Sequence, residues 1–92
     1  MQKITEKPVK NAHITLREEF DDCGLLFNPD SGKICGVNFT GIWIWKHING
    51  IRTIQDIVAG MKEEFSEIPE DIDEVVMKYI DNLAFYEFLE KN

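Results

Sequence analysis

Lys33-Ile34-Cys35-Gly36-Val37-Asn38-Phe39-Thr40-Gly41-Ile42-Trp43-Ile44-Trp45 is the stretch on which the fold turns. Its first five residues read as a short strand, and Gly36 either weakens it or marks a close backbone approach. From Asn38 the apolar spacing changes from a period of two to one of about 3.6. Asn38 or Thr40 can cap a helix that carries Ile42, Trp43, Ile44, Trp45 and Ile48.

On the amino-terminal side every signal is of strand and turn. Asn28-Pro29-Asp30-Ser31-Gly32 is a strong turn. Cys23 to Phe27 is a strand with the apolar run Leu25-Leu26-Phe27, and Asp21-Asp22-Cys23-Gly24 supplies turn residues before it. Ile14 and Leu16 alternate with Thr15 and Arg17, the pattern of a half-buried strand. Connections this short force an antiparallel meander. Met1 to Lys10 is polar, contains Pro8 and shows no period; residues 1–11 read as a flexible arm, with the domain over 12–92.

On the carboxyl-terminal side every signal is helical. Asn49-Gly50 ends the first helix, with Gly50 suited to the left-handed position after it. Thr53 caps a second helix, and Asp56 can reach back to complete a capping box. Ile54, Ile57, Val58, Met61 and Phe65 form an amphipathic stripe. Pro69 suits the first turn of a third helix, with Glu70, Asp71, Asp73 and Glu74 near its positive dipole end. Ile72, Val76, Ile80 and Leu83 are its core stripe. Three strands followed by three helices make an α+β domain, with the helices on one face of a small antiparallel sheet.

Composition narrows the function. Ninety-two residues make one domain, 43% apolar and 29% charged. No apolar run reaches the roughly 18 residues that span a bilayer, and the first twenty residues lack the apolar segment of a signal peptide. We therefore expect a cytoplasmic protein without a membrane partner. The net charge is −7, and residues 51–92 carry eleven negative and four positive charges. A helical half this acidic repels phosphate backbones, so nucleic acid is not the expected partner.

Catalysis lacks its usual parts. His13 and His47 fall in different elements, and His47 sits near the end of the first helix, where the dipole favours a cation. Cys23 and Cys35 have no neighbouring base in sequence to activate them. Two reduced thiols are the simplest reading of the cysteines, against a disulfide or a metal site, and no metal-ligand spacing is present. No phosphate-cradling glycine motif occurs. Trp43 and Trp45 lie two apart and point about 200° from each other, as packing residues or as a stacking surface. The expectation is a non-enzyme without cofactor or metal.

A binding surface is easier to place. The last strand of a meander has one partner and one open edge. Residues 33–37 carry a single charge, so that edge is weakly protected. On the third helix, Val75, Tyr79, Asn82 and Tyr86 share one flank of the stripe centred on Val76. That flank can pack on the sheet, or it can leave a groove suited to strand addition by a peptide.

The residues also resemble a family. Asn38-x-Thr40-Gly41-x-x-Ile44-Trp45, then Gly50-x-Arg52-Thr53-x-x-Asp56-Ile57, then Ile72, Val76, Ile80 and Leu83 are similar to the PqqD-like proteins. The hairpin with Leu25-Leu26 and Pro29 looks like the same family, and the resemblance runs from about Ile14 to Leu89. It implies a winged-helix-like fold that recognises ribosomally made, post-translationally modified peptides. It implies a leader peptide lying as an added strand on the third strand, packed by the third helix. The peptide-binding residues would then be Lys33, Ile34, Cys35, Gly36 and Val37 with Val75 and Tyr79; Lys33 and Lys78 would attract acidic leader residues. The other implied partner is a modifying enzyme, often a radical S-adenosylmethionine protein. Where the family often has a glycine before a short apolar tail, this chain has Glu87 before Phe88-Leu89. The third helix can therefore stop there or run on through Tyr86. The alternatives are a winged-helix DNA-binding regulator and an adaptor that homodimerises through the same edge.

Overall fold

Strands β1 (Thr15–Phe20), β2 (Cys23–Asn28) and β3 (Lys33–Asn38) form one antiparallel sheet in the order β1-β2-β3. The computed structural model describes residues 5–20 and 23–90. Asp21 and Asp22, expected in the first turn, lie outside the described residues. Cys23 and Gly24, expected in that turn as well, pair as strand with Phe20 and Glu18. The second turn is built by Asn28, whose Oδ1 accepts from the backbone N–H of Asp30 at 2.9 Å and of Ser31 at 3.4 Å. Gly32 completes it at φ +77°, a conformation that favours glycine.

Alternation sorts the side chains into two faces. Leu26 stands opposite Leu16 on one side and Cys35 on the other, and Gly24 stands opposite Val37. This inner set meets the helices. The outer set includes Cys23, Leu25, Phe27, Ile34, Gly36 and Asn38.

Asn38 ends β3 and caps helix α1 (Phe39–His47), its side chain accepting from the Gly41 N–H at 2.9 Å. The helix therefore leaves the sheet without a linker. It stops with Ile48 in an extended conformation, so Gly50, at φ +77°, lies two residues past the cap and not directly after it. The reason is Asn49, whose Oδ1 accepts from the N–H of Ile51 and Arg52 and builds a separate turn. Helix α2 (Ile54–Glu64) opens with the expected capping box: Thr53 N–H donates to Asp56 at 2.9 Å and Asp56 N–H to Thr53 Oγ1 at 3.0 Å. Helix α3 (Ile72–Phe85) begins later than the sequence implies. Pro69 accepts from the Ile72 N–H at 3.2 Å and so belongs to a turn before the helix.

The end of α3 is sharp. Phe88 N–H donates to Leu83 O at 2.8 Å and Glu87 N–H to Ala84 O at 3.1 Å. This pair of bonds is a Schellman closure, and Glu87 takes its left-handed position at φ 66°. The helix thus stops at Phe85 without the glycine, and Phe88 is folded back into the core beside Leu83.

The core lies between the inner sheet face and the helices. Leu26, Ile44, Trp45, Ile48, Ile54, Ile57, Met61, Val76, Ile80, Leu83 and Phe88 are all buried there. The amino-terminal arm closes its lower side. Residues 1–4 lie outside the described residues, but from Glu6 on the segment expected to be loose is hydrogen-bonded to the body. Glu6 O accepts from Ile54 N–H, Pro8 O from Gly50 N–H, and Val9 O from Glu90 N–H, while Asn11 N–H donates to Phe88 O. Pro8 is buried, and Lys10 Nζ sits 5.3 Å from the Trp45 ring centroid. The reason the segment is held is that it satisfies backbone donors of the start of α2, the turn before it and the tail.

Candidate functional site

β3 is an edge. β2 pairs with it on one side, and among the described residues no strand pairs on the other. Alternate N–H and C=O groups of Lys33–Asn38 therefore point outward. Helix α3 runs past this edge in the opposite sense. Tyr86 meets the start of the strand, where Lys33 Nζ lies 5.1 Å from its ring centroid. Tyr79 meets the end of the strand, near Val37 and Gly41.

Tyr79 is held there by chemistry and by space. Its hydroxyl donates to Gly41 O at 3.3 Å. Burial pushes that hydroxyl above its ordinary value of 10, so it stays a donor. A Cβ on Gly41 would stand 2.8 Å from the Tyr79 oxygen, so the close approach requires glycine.

Two open concavities follow the edge. One of about 310 Å³ is lined by Lys33, Ile34, Cys35, Tyr86 and Phe88. The other, of about 600 Å³, is lined by Cys23, Gly24, Leu25, Gly36, Val37, Asn38 and Tyr79. The apolar exposure here is high: Ile34 is 64% exposed and Tyr86 43%.

The structure brings Lys33, Ile34, Cys35, Gly36, Val37 and Tyr79 together along one edge. Val75 is exposed one turn before Tyr79 on the same flank. Lys78 is exposed on α3 and lines neither concavity. Sequence reasoning set Tyr86 on the groove flank without counting it as a binding residue, and left Phe88 and Gly41 out of the site. Tyr86 could be placed on that flank because it follows Tyr79 at helical spacing. Gly41 could not, since its role depends on a contact across 38 residues.

The remaining reactive residues have structural places. His47 Nδ1 donates to Trp43 O at 2.7 Å, and its ring stacks on Trp43 at 3.8 Å. Trp43 Nε1 donates to Glu64 at 3.2 Å, and Trp45 is buried. His13 pairs with Asp30 at 2.8 Å; this hydrogen bond raises the imidazole pKa above 6.5. Cys23 and Cys35 are both free, and they project from opposite faces of the sheet, so neither can reach the other. Among the described residues, no three His, Cys, Asp or Glu side chains stand together as metal ligands. No described helix is long and apolar enough to cross a membrane.

A three-stranded meander backed by three helices, with its last strand open beside the third helix, defines an α+β domain of the winged-helix-like kind. The family model for coenzyme PQQ synthesis protein D (PqqD) matches residues 23–89, and the chain belongs to that family. Among solved structures, the chain is similar to one described as TbiB1 in complex with the TbiA(beta) leader peptide. The two share 20% identity and a TM-score of 0.75 over 91% of this chain and 96% of that one, a likeness of fold. No curated protein matches the chain.

Proposed function

We propose that the protein is a non-catalytic recognition element that binds the leader of a ribosomally synthesised precursor peptide by strand addition to β3. The observation that carries this reading is the unpaired outer edge of β3 beside the Tyr79–Tyr86 flank of α3. Backbone bonds to the edge would supply affinity, and the two concavities would supply side-chain selectivity. Membership of the PqqD family supports it, as does a structurally similar protein held in complex with a leader peptide.

In this reading Lys33, Ile34, Cys35, Gly36 and Val37 form the docking edge, and Val75 and Tyr79 form the far wall. Lys33 and Lys78 attract acidic leader residues. Holding the leader raises the effective concentration of the attached core peptide at a modifying enzyme, of which a radical S-adenosylmethionine protein is the expected kind. The setting is cytoplasmic, where precursor peptides are made.

The test is a titration of isotope-labelled protein with short peptides encoded beside its gene. Amide hydrogen exchange should slow in β3, and shifts should concentrate on β3 and α3. Binding that leaves the β3 amides exchanging as before would reject strand addition.

A further inference from the structure

Gly36 is the glycine the fold does not explain. Its φ is not positive, and a Cβ built on it would meet nothing within 4 Å. Every other glycine has either a left-handed φ or a neighbour within 3.3 Å of that position. Glycine in a strand gives up side-chain packing and backbone entropy. Here that cost falls on the very strand whose edge is open.

What the missing side chain leaves is space. Gly36 stands opposite Leu25 on the outer sheet face, and Leu25 is only half-buried. Directly opposite residues on one face pack against each other, so a side chain at position 36 would have covered Leu25. Instead the 600 Å³ concavity opens over Gly36, with Cys23, Leu25 and Asn38 on the outer side and Val37 and Tyr79 toward the edge. Exposed Ile34 flanks it along the strand. None of these residues is an Asp, Glu, Lys, Arg or His.

A strand laid along β3 sends its side chains alternately to the two faces. One set meets Lys33, Cys35 and Tyr79. The other set passes over Ile34 and Gly36. We propose that the slot above Gly36 takes one large apolar side chain of the bound peptide. The peptide is then read on both faces of the edge and carries apolar residues at adjacent positions, not only at alternate ones. This inference rests on the strand-addition reading, which it extends to the chemistry of the peptide.

The experiment uses the full chain and a displayed library of random peptides. Wild type should enrich sequences with neighbouring large apolar residues. Gly36→Val should fold at least as well as wild type, because its β-branched side chain suits a strand and enters open space. It should bind the peptides selected on wild type about tenfold more weakly. Cutting the outer apolar residue of such a peptide to alanine should equalise its affinity for the two proteins, the signature of direct coupling. Undiminished binding to Gly36→Val, with β3 amides still protected, would overturn the slot while leaving strand addition intact. No enrichment on wild type would remove the strand-addition reading and the slot with it.

Discussion

Asn28 is the buried polar side chain among the described residues, 1% exposed, and both ends of its amide are hydrogen-bonded. Its Oδ1 shapes the β2–β3 turn, and its Nδ2 donates to Glu87 O at 3.1 Å, tying the turn to the end of α3. Asn28→Ala should lower stability by about 2 kcal/mol, measured by denaturant unfolding, because it removes the bond to Glu87 O and the acceptor that shapes the turn. Glu87 is the opposite case. It holds φ 66°, which disfavours any side chain. Glu87→Gly should relieve that backbone strain, which contributes about 1 kcal/mol in the same measurement. The sequence marked both positions, Asn28 as a turn residue and Glu87 as a departure from the family's glycine. Neither the burial of one nor the strain at the other could be read from spacing, because both depend on where α3 ends against the hairpin.

Helix α2 is an element whose capping box is described by its own sequence. Thr53 and Asp56 satisfy each other's backbone donors. Thr53→Ala should cost about 1 kcal/mol. The bonds from Thr53 hold the Asp56 carboxyl below its ordinary 3.8. A depressed folded-state pKa means that this contribution is present above about 3.8 and is lost as pH falls through the lower folded value. Asp56→Asn should therefore flatten the acid limb of the stability curve below pH 3.8, read by denaturant midpoints across that range. Helix α3 differs because its first turn has no side-chain cap. Pro69 and the acidic run mark its neighbourhood, but a turn and a helix start share the same residue preferences. The Ile72–Pro69 and Val75–Asp71 backbone bonds fix the boundary.

At the scale of the molecule, the arm and the charge distribution make separate predictions. The arm bonds the start of α2, the α1–α2 turn and the tail. A chain begun at Ala12 should lose about 4 kcal/mol, from four lost backbone bonds to the body of about 1 kcal/mol each. Its thermal midpoint should fall by more than about 10 °C, checked by thermal melting. An unchanged midpoint would mean that residues 6–11 contribute no net stability. The acidic helical half makes duplex DNA a poor partner. Titration at low salt should show no binding, and a tight, salt-sensitive complex would contradict this reading of the surface.

Period and punctuation carried the element order. The alternation in β1 and β2, the stripes of α2 and α3 and the Asn38 cap are local, so sequence alone determined the α+β class and the position of the edge strand. Local signals also placed Tyr79 on the flank facing that strand. Contacts between distant segments were decided by packing. The arm looked unstructured because its partners are backbone groups of remote elements, which leave no periodic trace. Tyr79 reaches the sheet only because Gly41 makes room, and the space over Gly36 exists only because nothing else in the fold fills it. Backbone hydrogen bonds and volume are settled between elements, and a linear sequence records them only where they fall within a few residues of each other.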